Sequence, residues 1–239
     1  MSTPEGHTTA CHIEACLADL GTDRFAQTFV SFVETLGVDQ IMVFAIENTQ
    51  ARCLLSWHFS RSVMAGKLAE TYLDGWFLKD PLLPDLVASP PQSVTLSRLD
   101  EIEGRMSADY RKLFFENPGM LAKTTLLAVG EKLRLFVSLY QSDPAAPLCD
   151  PDLARLARLA GRLALLHFEK ASDTDLPPPL AALSERERSV CLGILSGRKA
   201  EAIAADLDVA PSTVITYRKR AYAKLGITSR AGLFAICGK

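Results

Sequence analysis

Apolar positions along this chain follow two spacings, and the changes between them mark out its elements. From residue 10 to 37 the spacing is helical in two stretches. The second carries Phe25, Phe29, Phe32, Val33 and Leu36 along one face and closes at Gly37. QIMVFAIE (40–47) and RCLLSWHF (52–59) then read as strands joined by the polar turn NTQA. A helix is predicted from about Ser62 to Gly75, followed by the aromatic-rich WFLKDPLL, a short strand near QSVTL and a charged helix over 97–115. LAKTTLLAV and KLRLFVSLY form a further strand pair turning at Gly130-Glu131. Asp150-Pro151 supplies an acidic cap and a first-turn proline, opening a helix that runs to about Lys170. Strands in hairpins with helices between and around them predict an α+β fold, an antiparallel sheet flanked by helices, over residues 1–171.

The stretch ASDTDLPPPLAA, with prolines at 177–179, is predicted to be a stiff, extended linker over 172–182. Beyond it, residues 183–239 read as a compact all-α unit of four helices. Ser184 stands three residues before Glu187, a capping box that opens the first helix. Val190, Ile194 and Leu195 give that helix its apolar face, and Gly197 stops it. A second helix, about Lys199 to Leu207, turns Ile203, Ala204 and Leu207 inward, and Asp208 suits the turn after it. Pro211 begins the third helix, which runs to Leu225 before Gly226 ends it.

The third helix carries the chemistry. On a 3.6-residue wheel Val214, Arg218, Ala221 and Leu225 share the inner face, while Ser212, Ile215, Thr216, Lys219 and Ala223 fall opposite. Small and polar residues there let a helix approach base edges in a major groove. Lys219 reaches guanine acceptors or phosphate, Ile215 lies against a thymine methyl, and Arg220 and Lys224 flank the face as phosphate contacts.

Charge supports this reading. Residues 184–239 hold ten Lys and Arg against five Asp and Glu, while the remaining residues are acidic by seven charges. A basic unit on an acidic body implies that only the former faces nucleic acid. No apolar run is long enough for a membrane span, and the N-terminus lacks a basic segment followed by an apolar one, so a cytoplasmic location is expected. The six cysteines form no C-x-x-C pair and fit a reducing compartment. His7, Cys11, His12 and Cys16 lie close together, but zinc ligands pair at tighter spacing; they are read as residues of a fraying helix, and no metal or cofactor is expected. No G-x-S-x-G, phosphate-cradling glycine loop or H-E-x-x-H is present, so an enzyme is not expected.

Residues 183–236 resemble the C-terminal helix-turn-helix domain of the LuxR family of bacterial transcription regulators. The resemblance rests on Leu183, Arg186, Glu187, Val190, Gly197, Ile203, Ala204, Leu207, Thr213, Val214, Tyr222, Lys224, Leu225, Gly226, Ser229 and Arg230. It implies double-stranded DNA as partner, with Ser212, Thr213, Ile215, Thr216, Lys219, Arg220 and Lys224 on or beside the reading face. It also implies an inverted-repeat operator, a homodimer with residues 231–236 near the seam, and contact with RNA polymerase if the protein is an activator. The chain departs from the family at Lys199, Ala210, Ile215 and Tyr217, which bears on the operator sequence and affinity. A phosphoacceptor receiver needs an acidic pair after a first strand and βαβ alternation, and neither is present.

Residues 20–170 loosely resemble the GAF/PAS-like and autoinducer-binding sensory domains of LuxR-type regulators. The Asp80-Pro81 pair matches the quorum-sensing members, whose aspartate bonds an acyl-homoserine lactone; their head-group tryptophan corresponds here to Lys67, so that lactone is not expected. Trp57, Tyr72, Trp76 and Asp80 are the predicted effector-binding residues, aromatic walls with one convergent carboxylate. The leading reading is a regulator responding to a small molecule, signalling through the helix after Pro151 and the linker. The alternative is a ligand-independent regulator whose N-terminal domain serves dimerisation or a protein partner; the apolar stripe Leu153, Leu156, Ala160, Leu163 and Leu166 suits that role.

Overall fold

The computed structural model describes residues 4–47, 50–58, 65–118, 122–141, 150–172 and 177–237. Two helices lead, α1 (Pro4–Ala18) and α2 (Phe25–Glu34), and α2 buries Phe25, Phe29, Phe32 and Val33 as its periodicity requires. Strands β1 (Gln40–Glu47) and β2 (Gln50–His58) follow, then α3 (Ala65–Leu73), a 3-10 turn Trp76–Lys79 and α4 (Leu83–Ala88). Next come β3 (Ser93–Arg98), the short helices α5 (Leu99–Ile102) and α6 (Ala108–Arg111), and a π-helical turn Lys112–Glu116. Strands β4 (Ala122–Val129) and β5 (Arg134–Gln141) lead to the long helix α7 (Pro151–Ser172). The charged helix expected over 97–115 is therefore broken into four short pieces: the strand persists to Arg98, a 3-10 turn spans Glu103–Arg105 after α5, and Ser107 re-caps the chain for α6 and the π-helical turn by accepting from the Tyr110 amide.

The five strands form one antiparallel sheet in the order β2-β1-β5-β4-β3. Alternation sends Ile41, Val43, Leu126, Leu135, Val137 and Leu139 to one face, under α2 and α7. Met42, Phe44, Leu127 and Phe136 go to the other face, under α3, α4 and the turns around them. This is the α+β sandwich that the hydrophobic pattern predicts. On α7, a Cβ at Gly161 would lie 3.0 Å from a Val94 methyl and 3.3 Å from Leu126, so the missing side chain lets this helix sit close on the sheet. The hairpin turn after β4 is held from the same helix: Glu169 Oε1 accepts from the Lys132 amide at 2.7 Å and the Leu133 amide at 3.1 Å.

The proline segment departs from expectation. Residues 178–182 form a 3-10 turn packed on β2, with Ala181 and Ala182 in the core beneath α7 and Leu180 and Leu183 in the helical core beyond it. Burying the alanines and leucines is worth more than keeping the segment extended, and the turn covers part of an exposed sheet edge. The last helices are α8 (Glu185–Leu195), α9 (Ala200–Leu207), α10 (Pro211–Lys224) and α11 (Arg230–Ile236). Their core is Val190, Ile194, Ile203, Val214, Ala221, Leu225 and Leu233.

The helical unit rests on the sheet domain through α3 and β2. Gly226, at φ +64°, closes α10; a Cβ there would lie 3.2 Å from Ala69 Cβ, 3.3 Å from Cys53 Sγ and 3.5 Å from Ser56 Cβ. Glu70 accepts from both the amide and the hydroxyl of Thr228 (2.8 and 2.5 Å). Leu73 packs on the core beneath α3 and on the core of the helical unit at once. The predicted helix start at Ser62, and the side chains of His7 and His58, lie outside the described residues, as does Cys149. Among the described residues no group of His, Cys, Asp and Glu is arranged to hold a metal ion, and no helix is long and apolar enough to cross a membrane.

Candidate effector cleft and DNA-reading helix

The third helix of the C-terminal unit is built as its sequence demands. Ser184 and Glu187 close the capping box of α8, and Asp208 takes the left-handed turn after α9. Ala210 caps α10 without a side-chain bond, and Pro211 occupies its first turn. Ser212, Ile215, Thr216, Lys219 and Arg220 are exposed on α10, and Thr213 is half-buried. Ile215 is 40% exposed, a large apolar group held out in solvent on a polar helix face. Two residues sit differently from the wheel. Arg218 is exposed, because the inner seam steps from Val214 through the half-buried Tyr217 to Ala221, a three-four spacing that passes it by. Lys224 is turned inward: its Nζ lies 2.8 Å from Glu187 Oε2 and 5.7 Å over the Trp57 ring, so in this arrangement it is engaged within the protein.

The predicted effector residues divide. Tyr72 and Trp76 lie together under the sheet, where Tyr72 meets Phe44 (4.7 Å) and Phe114 (5.8 Å), and Trp76 meets Phe114 (5.9 Å) and Tyr110 (6.4 Å). Asp80 is beside them, with three donors already on its carboxylate. Its Oδ2 accepts from the Tyr72 hydroxyl (2.9 Å) and the Tyr110 hydroxyl (2.7 Å), and its Oδ1 from the Leu82 amide (2.9 Å). Burial, reinforced by this carboxylate, pushes both phenols well above their usual value of 10, so they remain donors. Asp80 is thus a buried cross-link of α3, the Trp76 turn and α6. Trp57 lies on the other side of the sheet, packed toward α2 and α7 and facing Lys224, and does not join the group.

A cleft nonetheless opens against the sheet. Its floor is two rows of side chains from the sheet, Lys123–Tyr140–Gln40 across β4, β5 and β1, and Ser138–Met42 across β5 and β1. Phe44 and Phe115 wall it, with Leu68, Ala69 and Tyr72 on α3 and Tyr110 and Phe114 opposite. The space it encloses is about 30 Å³. The floor residues Lys123, Gln40 and Ser138 were not among those singled out from the sequence. Lys123 carried a legible signal, the one charge within the strand AKTTLLAV.

A sheet-and-helix domain followed by a capped helix-turn-helix unit with an exposed polar face on its third helix defines a DNA-binding transcription regulator. Residues 181–236 match the family model described as bacterial regulatory proteins, luxR family. The chain is 31% identical over 183 residues to an HTH-type transcriptional regulator from the exeN 3′ region of Aeromonas salmonicida, covering 65% of this chain and 91% of that one. It belongs to the LuxR family. It is also 50% identical over 58 residues to the regulatory protein NarL of Mycobacterium tuberculosis, a segment covering 24% of this chain and 27% of NarL. Among solved structures it resembles SdiA in complex with octanoyl-rac-glycerol, at a TM-score of 0.50 and 14% identity, over 99% of this chain and 97% of that one. That likeness establishes a shared fold.

Proposed function

We propose that this LuxR-type regulator binds a small molecule in the cleft between its sheet and α3, and that occupancy sets its affinity for an operator. The observation that carries this reading is the cleft floor: Lys123, Gln40 and Ser138 converge from three strands into a space otherwise walled by aromatic and aliphatic side chains. A few polar groups in an apolar concavity are what orient a ligand. The fold shared with SdiA, whose structure holds an acylglycerol, agrees with it. Residues 1–171 form the sensory unit, 172–182 the connection and 183–239 the DNA-binding unit. In the last of these Ser212, Thr213, Ile215, Thr216, Lys219 and Arg220 meet the major groove, while Lys224 reaches a phosphate only after leaving Glu187 and Trp57. The protein works in the cytoplasm as a homodimer on an inverted repeat, and it is a regulator without catalytic activity.

Native mass spectrometry of the protein purified from its own host tests this directly. A co-purifying small molecule that Ser138→Leu excludes supports the reading. Its absence, together with DNA binding indifferent to Ser138→Leu, refutes it. One observation favours the alternative, in which the N-terminal domain serves dimerisation or a partner protein. The cleft encloses only about 30 Å³, and the Asp80 carboxylate already takes three hydrogen bonds within the protein.

A further inference from the structure

Lys123 is 7% exposed, and among the described residues it makes no ion pair and no hydrogen bond. Its Nζ stands 5.6 Å from the ring centres of both Phe115 and Tyr140, at the cleft wall. Among the described residues no Asp or Glu lines the cleft, and Asp80, bonded to the wall residues Tyr72 and Tyr110, is engaged by their hydroxyls. An ammonium taken out of water without an anion is costly, and two ring faces return only part of that cost. Two residues along the same strand, Thr125 is 1% exposed and its hydroxyl has no hydrogen-bond partner among the described residues. Ser138 pairs directly with Thr125 on the neighbouring strand and lines the cleft together with Lys123, so a buried cation and a hydroxyl face one small space.

Resting on the effector reading above, we propose that the ligand is an organic acid. Its carboxylate sits on Lys123, within reach of Ser138, and its apolar body lies against Met42, Phe44 and Phe115. Admission of a body larger than water requires wall residues such as the half-buried Phe114 and Leu68 to move aside. Phe114 is carried by the π-helical turn, a geometry that recurs at functional sites.

The test uses the full chain and four probes: octanoate, octanamide, 3-phenylpropanoate and 3-phenylpropanamide, in calorimetric titration and thermal unfolding. The acids are expected to bind at least about tenfold more tightly than their amides, the ratio that one charge-assisted hydrogen bond supplies. Lys123→Met should abolish that preference, and Lys123→Arg should keep part of it. Without ligand, Lys123→Met should melt about 2–4 °C higher, because an unpaired buried charge is gone. Amides binding as well as acids, or a preference untouched by Lys123→Met, would overturn the acid while leaving an effector cleft in place. A lower melting temperature for Lys123→Met with unchanged binding would make Lys123 a packing residue and overturn it too. Failure of all four compounds to bind would reject the carboxylate ligand; the effector reading is then decided on its own by the mass spectrometry of host-purified protein.

Discussion

His167 makes the stability of this fold depend on pH, and the size of the effect follows from its surroundings. The ring is 1% exposed on α7, stacked on Phe25 at 4.0 Å with 7° between planes, and its Nδ1 accepts from the Gly21 amide at 3.1 Å. Burial lowers its pKa from 6.5 to about 4; Arg188 and Lys170 add to this, while the Ala181 backbone pulls the other way without giving Nε2 a proper hydrogen bond. The folded protein therefore keeps His167 neutral down to about pH 4, while the unfolded chain takes up a proton near 6.5. Between those values the unfolded state holds more protons, so stability is complete above pH 6.5 and is lost as pH falls towards about 4. At about 1.4 kcal/mol per pH unit, the full displacement amounts to roughly 3 kcal/mol. For a chain of this size that is a fall of about 6–12 °C in melting temperature. Thermal unfolding from pH 7.5 to 4 should therefore fall more steeply for the wild-type chain than for His167→Gln, whose side chain does not titrate. The acidic residues titrate in both and cancel in the difference. Parallel profiles would refute the argument, since they would mean that His167 is protonated in the native state or equally shielded in the unfolded one.

Asp80→Ala should lower stability by about 3 kcal/mol, because the Tyr72 and Tyr110 hydroxyls and the Leu82 amide all lose their acceptor; an unchanged melting curve would contradict the cross-link. In mobility-shift titrations Lys219→Ala should weaken operator binding about tenfold and relax preference at one base pair of each half-site, whereas Arg220→Ala should weaken all sequences alike. Equal, uniform losses from both would make Lys219 a phosphate contact only. Phe234→Glu should convert a dimer to a monomer in light scattering if α11 forms the seam, and a dimer that survives it would put the seam elsewhere.

Much of the fold was legible because its strands are regular. QIMVFAIE is the β1 strand, the Asp150 carboxylate caps α7 by accepting from the Asp152 amide at 2.7 Å, and the capping box of α8 forms from the residues that signal it. The misplacement of Trp57 has a specific cause. Simple alternation puts Cys53, Leu55 and Trp57 on one face, but the register shifts opposite Val43 and Phe44, so Cys53 packs under α3 while Leu55 and Trp57 pack under α2 and α7. One extra residue in a strand leaves no mark on its hydrophobic pattern. Asp80 was recognised as a special carboxylate, but its partner Tyr110 lies thirty residues away on a short helix within a stretch whose charges suggested one long one. The proline turn was missed because its conformation is decided by the surfaces it joins, and these are distant in sequence.

The helix α3 belongs to both halves of the molecule. Leu68, Ala69 and Tyr72 form one wall of the cleft, and Ala69, Glu70 and Leu73 carry Gly226, Thr228 and the helical core on the other side. A route between the halves thus runs through one turn of helix, shorter than the path along α7 and the proline segment. Linkage gives this shared wall a consequence in the opposite direction. If filling the cleft displaces α3 and alters the affinity for DNA by some factor, operator DNA must alter the affinity of the cleft by the same factor. The ligand concentration at which such a regulator responds would then depend on how many operators are available to it. A cell carrying extra copies of the operator would shift the dose–response curve of the cleft without any change in the protein.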